Sequence, residues 1–169
     1  VTEQILAAWP FRGHRLCLDL GGGSGAFACA LARRWPRLNV RLVDLPDVAA
    51  RAAARFDAEG LSPRVAAVAG DIRRDTLPSG ADAATFVRVL HDHDDPAVLA
   101  MLRRAHQALG PGGKVIIAEP LAEAPGARRV GDAYFGFYLL AMGQGRPRTA
   151  GEIAALLTRA GFSHARSVK

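Results

Sequence analysis

The feature that most constrains this chain is an alternation: short apolar runs, each closed by glycine or an acid, are separated by stretches with helical spacing. Residues 15–20 (RLCLDL) read as a short buried strand, and GGGSG at 21–25 interrupts it before a helical run over 26–35. A strand over 39–44 (NVRLVD), a helix over 46–59 and a strand over 64–70 (RVAAVAG) follow. Two more strands, 82–90 (DAATFVRVL) and 113–119 (GKVIIAE), are separated by a helix over about 96–109. Strands alternating with helices predict an α/β fold with a doubly wound, mostly parallel sheet covered on both faces. Such sheets bind ligands beyond the carboxyl ends of their strands. The polar candidates fall there: the glycines between Gly21 and Gly25, Asp44, Asp71, His91 and Glu119. Five strand ends are expected to converge on one crevice.

The 169 residues suit one domain, and with half of them apolar there is enough chain for a substantial core. The formal charge is +6, and all of the 22 basic residues except Lys114 and Lys169 are arginine. Arg-Arg pairs at 33–34, 73–74, 103–104 and 128–129 lie in different predicted elements, which reads as solvated faces. No stretch interleaves basic and aromatic residues as a base-stacking platform would, so a nucleic-acid partner is not expected. The apolar stretch 134–142 is too short to span a bilayer, and no charged-then-apolar leader opens the chain. A cytoplasmic location is the expectation. Cys17 and Cys29 form no CxxC pair and read as buried, reduced thiols.

Gly21, Gly23 and Gly25 allow a tight turn lying against a ligand, while the helix that follows offers unpaired amides to an anionic group. Asp44 stands near the spacing at which an acid ending the second strand accepts hydrogen bonds from ribose hydroxyls. A nucleoside ligand follows. Gly21-x-Gly23-x-x-Ala26 also satisfies the loose dinucleotide fingerprint, so the loop alone leaves NAD and S-adenosylmethionine both open.

The densest polar cluster is RVLHDHDD at 88–95. Asp95-Pro96 ahead of AVLAMLRRAHQAL has the form of a helix start, with Asp95 as the cap and proline at the first helical position. Val98, Leu102, Ala105 and Leu109 recur at helical spacing before Gly110-Pro111-Gly112 ends the run. His91 and His93 would suit a metal only with further nitrogen or sulfur ligands, and none is apparent, so no metal is expected. Tyr134, Phe137, Tyr138 and Met142 form one stripe at helical spacing, which suits core packing or the wall of an apolar ligand site.

In order along the chain, LDLGGGSG, LVDLP, GDI, RVLHDHDD, LGPGGKVIIAEP and GRPRTAGEIAALLTRAGF resemble the S-adenosylmethionine-dependent O-methyltransferases that act on small molecules. Within that family, GDAYFGFYLLAMGQGRPRT is most similar to the carotenoid enzymes that methylate demethylspheroidene and hydroxyneurosporene. The resemblance implies a Rossmann-like fold of the class I methyltransferase type. It divides the chain into a leading helix and linker (1–13) and a cofactor-binding catalytic domain (14–169). Family members carry an upstream helical domain that forms a homodimer and helps close the substrate pocket, and they end in an antiparallel hairpin, so a chain truncated at both ends is expected.

The family match also assigns roles. His91 falls on the catalytic base, Glu119 on the acid that orients it, and Asp92 is a second candidate partner. A further flanking acid of plant relatives falls on Pro147. Neutral imidazole, with an ordinary pKa of about 6.5, can take a hydroxyl proton at physiological pH. Gly21 and Gly23 are expected along the amino-acid portion of the cofactor, Asp44 at the ribose, Asp71 and Ile72 at the adenine, and Arg88 beside it. Tyr134, Phe137, Tyr138 and Met142 fall on the substrate-contacting segment. His93 stands where many relatives have tryptophan. The implied function is methyl transfer from S-adenosylmethionine to a hydroxyl of a hydrophobic small molecule, with S-adenosylhomocysteine as product. No transmembrane segment is expected, although a lipophilic substrate would suit a peripheral membrane contact. The rival readings are a phenol or polyketide O-methyltransferase, an NAD-dependent oxidoreductase and a cofactor-binding domain without catalysis.

Overall fold

Five parallel strands in the order β3-β2-β1-β4-β5 form the centre of the computed structural model, which describes residues 1–122 and 145–167. The strands are β1 (Leu16–Leu20), β2 (Asn39–Asp44), β3 (Val65–Ala69), β4 (Ala81–Val87) and β5 (Leu109–Ala118). Around them lie α1 (Thr2–Ala8), α2 (Ala26–Arg34), α3 (Pro46–Ala58), α4 (Asp95–Ala108) and α5 (Ala150–Ala160). The order confirms the parallel α/β reading. The chain winds outward from β1 to β3 and then returns to lay β4 on the other side of β1. That reversal is the switch point, and it opens a crevice at the strands' carboxyl ends.

Period-two alternation sends neighbouring residues to opposite faces and builds two cores. Cys17, Val40, Leu42 and Ala83 pack with α1, α2 and α3 through Ile5, Leu31 and Phe56. Leu18, Leu20, Val43 and Phe86 pack with α4 and α5 through Met101, Leu102 and Leu157. Full burial of a side chain the size of Phe56, which is 1% exposed, is worth about 2 kcal/mol. Both cysteines are buried and unbridged, as expected.

Three boundaries differ most from the sequence reading. β5 begins at Leu109 rather than at 113, so Leu109 to Gly112, expected to close the helix, belong to the strand that follows it directly. β4 stops at Val87 rather than at 90, because Arg88 takes a left-handed conformation (φ 57°) that no strand can continue through. A single 3₁₀ turn over Leu90–Asp92 follows. The cap of α4 is also one residue earlier than expected. Asp94, not Asp95, has the extended backbone of a cap and accepts from the Ala97 amide at 2.9 Å. Asp95 is the first helical residue, and its carboxylate pairs instead with Arg148 and Arg146.

Candidate functional site

A cavity of roughly 290 Å³ lies over the switch point, and its walls include Gly21, Asp44, Asp71, Ile72, Arg88 and His93. The loop after β1 enters it with positive φ at Gly21 (70°) and Gly23 (58°), conformations that favour glycine. Gly22 is required for a different reason. A Cβ there would lie 2.5 Å from Asp19 Oδ2 and 2.6 Å from Leu42 Cδ1. The loop is held from the neighbouring strand, since the Gly21 amide donates to Val43 O at 2.9 Å and the Gly23 amide to Asp44 Oδ2 at 2.8 Å. Asp44 Oδ1 accepts from the Leu45 amide at 2.8 Å, so this carboxylate is fixed at the rim with lone pairs still to offer.

Under the loop sits Asp19, 1% exposed. Its Oδ1 accepts from Thr85 Oγ1 at 2.8 Å, while Oδ2 has no hydrogen-bond partner among the described residues. Burial, with Asp44 nearby, pushes its carboxyl up to about 6. A cradle that admits no Cβ, an unpaired acid beneath it and a fixed carboxylate at its rim suit a ligand carrying an amine and ribose hydroxyls.

At the other end of the cavity Asp71 accepts four hydrogen bonds. Arg73 donates to it from its amide, Nε and a terminal nitrogen, and Arg74 from Nε, all at 2.8 to 3.0 Å. These guanidinium contacts, those of Arg73 foremost, hold its carboxyl well below the usual range. The carboxylate therefore orders the Arg73–Arg74 turn, and this arginine pair is not a mere solvated face. Ile72 beside it is buried and supplies an apolar wall. Arg88 lines the cavity from its left-handed position, with its amide donating to Ala118 O at 2.9 Å.

His91 and Glu119 meet just beside this cavity. His91 Nδ1 is 2.6 Å from Glu119 Oε2, and the two side chains are 5% and 3% exposed. A carboxylate only accepts, so Nδ1 carries the hydrogen and Nε2 is the nitrogen left to take a proton. Glu119 Oε1 meanwhile accepts from the Val89 and Leu90 amides at 2.7 and 2.8 Å, which fixes the acid and the turn bearing His91 as one unit. Nε2 lies 3.4 Å from Asp92 Oδ1, a buried oxygen with no hydrogen-bond partner among the described residues. Asp92 and His93 line the larger cavity, whereas His91 lines a small recess with Glu119, Pro120 and Arg148. Burial, followed by the nearby Arg73 cation, lowers the pKa of His93 and keeps that ring neutral at the cavity wall.

Comparison with known proteins identifies the family. The model of the O-methyltransferase domain matches residues 1–163. This chain belongs to the O-methyltransferase domain family. The domain is 45% identical over 163 residues to demethylspheroidene O-methyltransferase of Cereibacter sphaeroides, a match covering 96% of this chain and 43% of that protein. It is 41% identical to acetylserotonin O-methyltransferase of Mus musculus, covering 96% and 43%. Among solved structures, human N-acetylserotonin methyltransferase in complex with S-adenosylmethionine superposes with a TM-score of 0.82 at 29% identity, covering 96% of this chain and 46% of that one. An O-methyltransferase from neocarzinostatin biosynthesis, solved with S-adenosylmethionine and 2-hydroxy-5-methyl naphthoic acid, gives 0.83 at 33% identity, covering 96% and 48%. The chain spans just under half the length of these relatives.

The O-methyltransferase domain thus brings Gly21, Asp44, Asp71, Ile72, Arg88 and Asp92 to one cavity and joins His91 to Glu119 beside it. Gly23 reaches the same site through its bond to Asp44. Tyr134, Phe137, Tyr138 and Met142 lie outside the described residues. Two residues escaped the sequence reading. Asp19 had a signal, an acid inside an apolar strand just before the glycines. Arg148 had none beyond its place in GRPRT, because most of its partners are backbone carbonyls far away in sequence.

Proposed function

We propose that this domain transfers a methyl group from S-adenosylmethionine to a hydroxyl of a hydrophobic small molecule, leaving S-adenosylhomocysteine. The observation that carries the reading is the 2.6 Å contact between His91 Nδ1 and Glu119 Oε2 beside a glycine-loop cavity. In this reading Gly21 and Gly23 border the amino-acid portion of the cofactor and Asp44 receives the ribose hydroxyls. Asp71 and Ile72 border the adenine, and Arg88 also lines the cofactor. Held there, the cofactor would supply an electrophilic methyl group on a sulfonium, with the thioether as leaving group.

The remaining chemistry belongs to the chain. His91 accepts the hydroxyl proton on Nε2, and Glu119 fixes the tautomer that makes this nitrogen basic. Asp92 Oδ1, which has no hydrogen-bond partner among the described residues and lies 3.4 Å from Nε2, faces the imidazolium as it forms. Stabilisation that appears only as charge develops lowers the barrier rather than the ground state.

The proposed acceptor is a carotenoid, supported by the similarity to demethylspheroidene O-methyltransferases at 45% and 41% identity. Tyr134, Phe137, Tyr138 and Met142 would then form part of an aromatic wall for a long polyene. A phenolic or polyketide acceptor is the second reading, supported by 36% identity to a 3-hydroxy-5-methyl-1-naphthoate 3-O-methyltransferase of Streptomyces sahachiroi. Residues 14–169 as the catalytic domain, a homodimer of the whole protein, a cytoplasmic location and peripheral membrane contact are parts of the same proposal. No helix among the described residues is long and apolar enough to cross a membrane. Incorporation of tritiated methyl groups by the full-length protein, offered a carotenoid extract and a panel of phenols, tests the acceptor. Label in the carotenoid fraction supports the first reading, and label confined to phenols replaces it with the second.

A further inference from the structure

We infer that Arg148 is a positioning residue for His91, holding the turn that carries the imidazole; this rests on the reading of His91 as the base. Arg148 is 3% exposed, and a guanidinium is costly to bury unless its donors are used. They are used on three sides. One terminal nitrogen donates to Leu90 O at 2.8 Å, the other to His93 O at 2.7 Å, and Nε to Asp95 Oδ1 at 2.8 Å.

Those two carbonyls bracket His91 and Asp92. The turn's own backbone bonds, Asp92 N to Val89 O and His93 N to Leu90 O, are both 3.2 Å, so a single long-bonded turn has little stiffness of its own. Glu119 gathers the amides of Val89 and Leu90, and Arg148 gathers the carbonyls of Leu90 and His93. An anion and a cation from two different segments thus hold this stretch together, Glu119 by the amides that enter the turn and Arg148 by the carbonyls of Leu90 and His93. Arg148 is itself anchored. Its carbonyl accepts from the Ala122 amide at 3.1 Å, and it precedes Thr149, the N-cap of α5. Three residues earlier, Gly145 (φ 95°) lies against the backbone of His91 to His93 so closely that a Cβ would overlap the His91 carbonyl. The segment is shaped to press on this turn.

Arg148 stays charged and its donors are taken by two carbonyls and Asp95, so it moves no proton, and its effect reaches catalysis only through the placement of His91. A residue that merely joined α5 to α4 would change stability and leave the kinetics of the folded enzyme alone. Arg148→Lys keeps the charge but cannot span two carbonyls and a carboxylate at once. In the full-length enzyme it should lower kcat roughly 10- to 100-fold, with cofactor affinity and acceptor KM within about 2-fold of wild type. In a His91→Gln background the same substitution should cost nothing further, since its effect passes through that ring. Arg146→Gln, which removes an exposed neighbour paired with the same Asp95, should leave turnover unchanged.

An additive loss in the double variant, or a fall in melting temperature with kcat intact, would overturn the inference. Turnover that survives His91→Gln would overturn the base assignment itself, which is a separate result. If Arg148→Lys does not fold, Asp95→Asn loosens the clamp while keeping the guanidinium. It should then reproduce the pattern at about 3- to 10-fold, and an unchanged kcat would count against the inference.

Discussion

Glu119 makes three hydrogen bonds, and only one of them reaches the imidazole. Glu119→Gln keeps the size of the side chain, but its amide cannot accept at both ends. The turn and the tautomer should loosen together, and turnover should fall by about 10- to 100-fold, less than on removal of the base itself. Steady-state rates of the two variants side by side check the ranking. The carboxyl of Asp19 gives the fold a pH dependence of its own. Its folded pKa of about 6 lies above the ordinary 3.8, so its contribution to stability is present below 3.8 and is lost as pH rises through 6. Asp71 and Asp95, whose pKa values are lowered by arginine, contribute with the opposite sign, above the ordinary carboxylate value. Asp19→Asn should therefore stabilise the fold at pH 7.5 relative to pH 4.5 by on the order of 2 kcal/mol compared with wild type. Denaturant unfolding at the two pH values tests this, and an unchanged difference between them would contradict it.

At the scale of elements, the strand–helix alternation was legible because each apolar run is short and closed by glycine or an acid. β2 matches its expected span at both ends, while β1, β3 and α3 differ by a residue at their ends. What could not be read was which of two adjacent aspartates caps α4. Asp94-Asp95-Pro96 satisfies the cap pattern in either register, and the choice is made by Arg148, which claims Asp95. Asp94→Ala should then cost about 1 kcal/mol through the Ala97 amide. Thr149→Ala should cost a similar amount, since Thr149 and Glu152 form a reciprocal capping box on α5. Thermal unfolding of both variants checks the pair. The early end of β4 was also invisible, because left-handed backbone at an arginine follows from its tertiary setting and not from propensity.

For the molecule as a whole, the sheet order places the glycine loop, Asp44 and the end of β4 on the two sides of one switch point. The expectation of a single crevice holds for Gly21, Asp44 and Asp71 and not for His91 and Glu119. Those two line their own recess, while Asp92 and His93 line the larger cavity. In the proposed reading this geometry links nucleoside recognition to proton transfer. It also predicts that full-length protein binds S-adenosylmethionine or S-adenosylhomocysteine in calorimetry and not NAD, because Asp44 at the cavity rim suits a ribose and the glycine loop over the buried Asp19 suits an amine; binding of NAD alone would contradict this. The central claim is that His91 removes the acceptor proton. The direct measurement is single-turnover methyl transfer by full-length His91→Gln at saturating cofactor. The account predicts wild-type cofactor affinity with transfer slowed by roughly 10²- to 10⁴-fold. Transfer at the wild-type rate, or a collapse caused by His93→Gln and not by His91→Gln, would contradict it.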